Sequence, residues 1–133
     1  MNMHLQGKVY APYRLKPDRA VAATMLRGMG IDAPPVEVPP TYLIFLRGEE
    51  HDVDLFRDLD IPREKALHGG QRYEWLAPIG WDDEMEVIAT VDKLTEKEGK
   101  AGKVWFADVS FEYKRVRDGK VVLREVTRLA KRS

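Results

Sequence analysis

Leu67-His68-Gly69-Gly70-Gln71-Arg72-Tyr73-Glu74-Trp75-Leu76-Ala77-Pro78-Ile79 is the stretch on which the architecture turns. His68-Gly69-Gly70 reads as a turn or strand start, because paired glycines give the backbone freedom that few other residues have. Tyr73 and Trp75 then alternate with Arg72 and Glu74, the period of two expected of a half-buried strand. Pro78 lacks an N–H to donate to a sheet and stops the run.

The same period continues to the C-terminus. Met85, Val87, Ala89 and Val91 alternate with Glu86, Ile88, Thr90 and Asp92. Trp105, Ala107, Val109, Phe111 and Tyr113 form the cleanest apolar stripe, opposite Phe106, Asp108, Ser110 and Glu112. Val121, Leu123, Thr127 and Leu129 share one face of a last strand. Turns are expected at Gly80 to Asp83, at Glu98 to Gly102 and at Asp118-Gly119, the last a strong hairpin signal. These runs predict an antiparallel sheet with one apolar face, which needs cover.

Upstream, Val9 to Leu15 is extended and broken by Pro12. Pro17 and Asp18 suit a helix start, and Arg19 to Met29 runs as a short helix ended by Gly28 and Gly30. Asp32 to Pro40 holds Pro34, Pro35, Pro39 and Pro40 and reads as a stiff connector. Thr41 can cap a second helix from Tyr42 to about Phe56, with Tyr42, Phe45 and Leu46 on one face. This helix is the expected cover for the sheet, so the fold class is α+β: one domain over residues 1–133, a sheet wrapped around a central helix.

Composition narrows the function classes. The 133 residues suffice for one domain with a real core, and 44% hydrophobic with 33% charged is ordinary for a soluble protein. Twenty-two basic residues balance 22 acidic ones, so no global field draws the chain to nucleic acid or an anionic membrane. The absence of cysteine removes disulfides, thiolate metal sites and a Cys nucleophile, and suits a reducing, cytoplasmic setting. The N-terminus has no signal-peptide pattern, and no stretch has the apolar length of a membrane span.

Four segments together resemble the MaoC-like dehydratases, in particular their N-terminal, FAS1-like hot-dog domain. Gly7-Lys8-Val9-Tyr10-Ala11-Pro12-Tyr13 is similar to that family's opening G-K-x-Y-x-x-Y. Pro39-Pro40-Thr41-Tyr42 resembles its P-P-T-F entry into the hot-dog helix. Leu67 to Trp75 resembles its L-H-G-x-Q-x-F-x-W/Y strand. Pro78-Ile79-Gly80-Trp81-Asp82-Asp83 stands where the family has P-[LIV]-x-x-G-D, with the Gly displaced.

The resemblance implies hydration of trans-2-enoyl thioesters, or dehydration of (R)-3-hydroxyacyl thioesters, on CoA or acyl carrier protein, with no cofactor and no metal. The family's D-x-N-P-x-H signature, whose Asp and His activate one water, does not occur here; Asp32-Ala33-Pro34-Pro35 is the nearest remnant. The resemblance therefore implies a half-site subunit of a heteromeric enzyme. A second MaoC-like hot-dog subunit would supply the catalytic dyad, and this chain would shape the acyl or CoA pocket. The shortened Asp32–Pro40 link implies a wide pocket that admits bulky acyl groups. The alternatives are a non-catalytic acyl-CoA-binding scaffold module and a hot-dog acyl-CoA thioesterase using Glu49 or Asp52.

The expected substrate-binding strip is His68, Gly69, Gly70, Gln71, Tyr73 and Trp75. No residue is assigned a catalytic role. His68 is the one acid–base candidate, but with no Asp at catalytic spacing it reads better as a histidine bonding neighbouring backbone. Gly69 and Gly70 fit either a close backbone approach to a thioester or a simple bulge. Glu49, Glu50, His51, Asp52 and Asp54 hold metal-ligand chemistry, yet read better as a solvated helix face. Arg63, Lys65, Arg72 and Lys93 suit CoA phosphates or are scattered surface charge. His4 is given no role. Trp75, Trp105, Phe111 and Tyr113 line an acyl tunnel or are plain core.

Overall fold

A computed structural model describes residues 1–32, 38 and 51–133. Its elements are β1 (Tyr13–Leu15), α1 (Arg19–Gly28), α2 (Leu55–Asp58), β2 (Ala66–Trp75), β3 (Met85–Gly99), β4 (Gly102–Arg115) and β5 (Val121–Arg132). Short 3₁₀ turns occupy Met3–Leu5 and Arg63–Lys65. No helix among the described residues is long and apolar enough to cross a membrane.

The five strands make one antiparallel sheet in the order β1-β3-β4-β5-β2. The two hairpins close where the turn residues stand. Gly99 pairs with Gly102 across Lys100-Ala101, and Gly119 takes φ 69° beside Asp118, whose carboxylate also grips Arg115. With β4–β5 pairing Phe111 to Glu125 and Tyr113 to Leu123, the inward stripes of β3, β4 and β5 fall side by side. Met85, Val87, Ala89, Val91, Ala107 and Val109 are fully buried on that face. Burying each of the valines and the methionine stabilises by about 1.5–3 kcal/mol, which explains why the period-two pattern decides the register. Bulges between Val91 and Lys93 and between His68 and Gly70 interrupt it. After the first, Leu94 rather than Lys93 turns inward.

The two edges differ. Beyond β1, the outer side of β3 is taken up by residues 6–10: Gly7 N–H donates to Val91 O, Val91 N–H to Lys8 O and Tyr10 N–H to Ala89 O, and Leu94 N–H donates to the Gln6 carboxamide. At the opposite edge β2 pairs, among the described residues, with β5 alone.

α1 forms as expected. Asp18 caps it, accepting from Ala20 N–H at 2.8 Å and Val21 N–H at 3.3 Å, and the helix buries Ala22 and Leu26. Gly30 at φ 79° follows its end.

Three expectations need correction or fall elsewhere. The central helix expected from Tyr42 lies, through Glu50, outside the described residues. It does not continue to Phe56: Asp52 has φ 65°, and Asp54 accepts from Arg57 N–H to cap the separate helix α2. A left-handed residue followed by an N-cap ends one helical run and starts another. Most of the Asp32–Pro40 link also lies outside the described residues. Finally, His68-Gly69-Gly70 is a bulge inside β2, not a turn before it. A Cβ on Gly69 would stand 2.9 Å from Arg128 Cγ and 3.3 Å from its carbonyl oxygen, so only glycine lets β2 press this closely on β5.

Candidate functional site

His68, Gln71, Tyr73 and Trp75 come together on the core-facing side of the edge strand β2. Their cross-strand partners on β5 are Leu129, Thr127, Glu125 and Leu123 in turn. The bulge sets this phase: Gly69 is the extra residue, and in a regular strand His68 and Gln71, three residues apart, would point to opposite faces. Tyr73 is half-buried and stacks against Trp75 with centroids 6.2 Å apart. Trp75 is 40% exposed and His68 is exposed at the other end, so the strip's two ends lie open while Gln71 and Tyr73 between them are half-buried.

At its middle sits a carboxylate that the sequence reading passed over. Glu125 is 4% exposed and, with Thr127, is one of two buried polar residues among those described, on a largely apolar face. Tyr113 Oη donates to its Oε2 at 2.7 Å, Gln71 Nε2 donates to Oε1, and Thr127 Oγ1 lies 3.3 Å from Oε1. Thr127 Oγ1 is also 3.0 Å from Gln71 Oε1, and His68 Nε2 is 3.0 Å from the same oxygen. A polar chain thus runs from the exposed His68 through Gln71 to the buried Glu125 and Tyr113. Burial first, then the Glu125 charge, pushes the Tyr113 hydroxyl well above the ordinary tyrosine range. The sequence signal was Glu125 itself, an acid in phase with Leu123, Thr127 and Leu129.

Tyr13 reaches the same region from the far edge. Tyr13, Val87, Tyr113, Leu123 and Trp75 form one register row across the sheet. Its hydroxyl is buried without a hydrogen-bond partner among the described residues, and burial followed by the Glu125 charge raises its pKa. The His51 ring stacks on Tyr13 at 4.9 Å.

The other expected residues do not converge. Glu49 and Glu50 lie outside the described residues, Asp52 is in a left-handed turn and Asp54 is a helix cap. No group of three or more His, Asp or Glu able to hold a metal ion occurs among the described residues. Arg63 lies over the Phe56 ring at 3.9 Å. Lys65 is exposed in the 3₁₀ turn before β2. Arg72 faces the other side of the sheet. There it lines a 260 Å³ hollow with Gly69, Gly70, Gln71, Asp108, Val126 and Arg128. The Arg128 hydrogen bonds to Asp108, then the charges of Lys93 and Arg72, hold that carboxyl below its usual range. Phe111 and Tyr113 are core, as one reading had it. Trp105 is not: it is half-buried, its Nε1–H donates to Glu96 at 2.8 Å and Lys131 lies over its ring. Ala107 therefore starts the buried stripe, because the hairpin end of β4 projects past the core.

Chemically, the inner strip offers hydrogen-bond donors and acceptors beside apolar and aromatic surface. His68 Nε2 meets a carboxamide rather than a carboxylate, so His68 is not held in an oriented Asp/His pair of the kind that activates water.

Comparison with known proteins agrees with this architecture. The 3R-hydroxyacyl-ACP dehydratase complex HadBC of Mycobacterium tuberculosis has a similar chain, with 17% identity, a TM-score of 0.71, and 95% of this chain and 96% of that one covered. The ChsH1-ChsH2 complex of M. tuberculosis is similar at 10% identity and a TM-score of 0.65, over 92% of this chain and 83% of that one. The MaoC-like dehydratase of Rhodospirillum rubrum follows at 15% identity and a TM-score of 0.59, over 96% and 94%. At these identities the likeness is one of fold, the hot-dog fold. No curated protein sequence matches the chain. The model of the family described as "FAS1-like, dehydratase domain region" matches residues 20–124, and the chain therefore belongs to that family, among the MaoC-like hot-dog dehydratases.

Proposed function

We propose that the chain is the pocket-forming subunit of a heteromeric (R)-specific enoyl thioester hydratase or 3-hydroxyacyl thioester dehydratase. One observation carries the reading: a member of a dehydratase family has no D-x-N-P-x-H anywhere in its 133 residues. The chemistry needs an acid and a base flanking the Cα–Cβ bond, with N–H donors for the thioester oxygen. A second hot-dog subunit carrying the dyad would meet that need. The similar chains from two M. tuberculosis complexes support pairing of this kind.

In this reading His68, Gly69, Gly70, Gln71, Tyr73 and Trp75 contact the acyl-CoA or acyl-carrier-protein thioester. The partner's dyad adds or removes water. The cysteine-free chain acts in the cytoplasm, as one domain.

The test is hydration of crotonyl-CoA, followed by loss of the enoyl absorbance. The chain alone is compared with the chain co-purified with a hot-dog partner bearing D-x-N-P-x-H. Lacking the positioned acid and base, the chain alone should be slower by roughly 10²–10⁴-fold or more. Robust turnover by the chain alone, abolished by His68→Ala, would overturn the reading.

A further inference from the structure

We infer that Glu125 is a positioning residue: through the Gln71 carboxamide it holds His68 as the Nε2–H tautomer, leaving Nδ1 to accept the pantetheine amide N–H of a thioester substrate. The inference rests on the proposed function for its ligand and on hydrogen-bond geometry for everything else.

The logic runs outward from the core. A carboxylate only accepts, and Glu125 faces Tyr113 Oη, Thr127 Oγ1 and the Gln71 side chain. An amide turned the other way would set its oxygen against the carboxylate, so the NH₂ must face Glu125. The Gln71 oxygen is thereby directed at His68 Nε2, 3.0 Å away. A carbonyl oxygen cannot donate, so Nε2 carries the hydrogen. In the neutral imidazole Nδ1 then holds the lone pair. Nδ1 makes no hydrogen bond among the described residues, and His68 is exposed on the edge strand.

This identifies the ligand group by chemistry. The acceptor stands at the open end of the strip, outside the apolar interior, where the polar arm of a thioester would run rather than its acyl chain. Along that arm the donor nearest the sulfur is the amide N–H of pantetheine, common to CoA and acyl carrier protein. Glu125 itself is too deeply buried to meet the arm; it acts through Gln71.

The experiment uses the 133-residue chain labelled with 15N-histidine at about pH 8.5, above the ordinary imidazole range. Long-range 1H–15N correlation reads each tautomer, with His4 and His51 as internal references. His68 should show a protonated Nε2. In Glu125→Gln, an isosteric amide allows Gln71 to turn over, and a population protonated on Nδ1 should appear. Gln71→Met leaves Glu125 and Tyr113 in place and should also release the tautomer; it keeps the test alive if the first variant folds poorly. Identical His68 nitrogen shifts in the parent and in Gln71→Met would overturn the relay.

S-butyryl-pantetheine, which has no 3-hydroxyl, is then titrated in. It should move the Nδ1 resonance, and His68→Phe should bind it roughly threefold to tenfold more weakly, the loss of one hydrogen bond. An Nδ1 resonance that stays still would overturn the ligand assignment. So would equal movement by the analogue N-methylated at that amide, or movement only with (R)-3-hydroxybutyryl-pantetheine. The readout involves no turnover. A silent Nδ1 beside an active reconstituted complex refutes this inference alone. A responsive tautomer beside an inert complex refutes the subunit reading alone.

Discussion

Tyr113→Phe removes one oxygen atom from the core and nothing else. Tyr113 is 1% exposed and its hydroxyl meets Glu125 Oε2 at 2.7 Å, a charge-assisted bond with no solvent to replace it. Bonds to charged groups contribute about 1.5–3 kcal/mol net. Gln71 and Thr127 still face the carboxylate in the variant, so Glu125 is not orphaned and the loss should fall near 2 kcal/mol. For a domain of this size that corresponds to a fall of roughly 8 °C in Tm. The assay is urea unfolding at neutral pH. The midpoint should drop with an unchanged m-value, because the surface exposed on unfolding is the same. A double-mutant cycle with Glu125→Gln should return a coupling of about 1 kcal/mol or more, as neighbours in one network do not add. A Tyr113→Phe variant within about 0.5 kcal/mol of the parent would refute the claim that this bond holds the network.

Three further outcomes follow from other parts of the molecule. Gly69→Ala should destabilise by about 1–3 kcal/mol in thermal unfolding, because Arg128 Cγ blocks the new Cβ and the guanidinium is tied to Asp108 at 2.7 and 2.9 Å; a neutral effect would mean that the bulge is not close-packed. Burial, with Asp58 beside Tyr10 and Glu125 beside Tyr13 and Tyr113, raises all three hydroxyl pKa values. The folded state therefore keeps protons that the unfolded chain releases. Stability from these groups is full below about pH 10 and is lost as pH rises beyond it, and an alkaline denaturation series showing no such loss would contradict the assignment. The open β2 edge predicts that the chain is not a monomer at micromolar concentration; light scattering that finds a stable single-chain species would count against it.

β3 and β4 were legible because one face of each is apolar without interruption: Met85 to Val91 and Ala107 to Tyr113 needed only their period. What the period could not show was the phase change at each bulge. Gly69 signals one only once Arg128 is known to lie against it, and the break at Asp92-Lys93 becomes visible from Leu94 turning inward. The helix expected to reach Phe56 was read from apolar spacing, which carries no information on a left-handed Asp52; the cap at Asp54 was the better cue. Half of the site was legible as well. His68, Gln71, Tyr73 and Trp75 share a strand and so a spacing. Glu125 is joined to Gln71 across 54 residues and to Tyr113 across 12, distances that no local pattern records. An acid in an apolar stripe breaks the very pattern used to find strands, and is passed over for that reason.

The unequal edges of the sheet set how far assembly can go. A β-sheet polymer needs each copy to offer an acceptor edge and a donor edge, so that every addition regenerates the site for the next. Here the N-terminal residues 6–10 occupy the β3 side, and what remains of it, Thr95 to Gly99, carries Glu96, Lys97 and Glu98. Among the described residues the edge strands are the three-residue β1 and the ten-residue β2, so β2 offers the longer free edge to a new strand. If β2 meets the equivalent edge of another hot-dog chain, both growth points are consumed in one event. Such pairing would act as chain termination: for a chain with no net charge to keep its copies apart, the want of a second long free edge would limit growth to pairs.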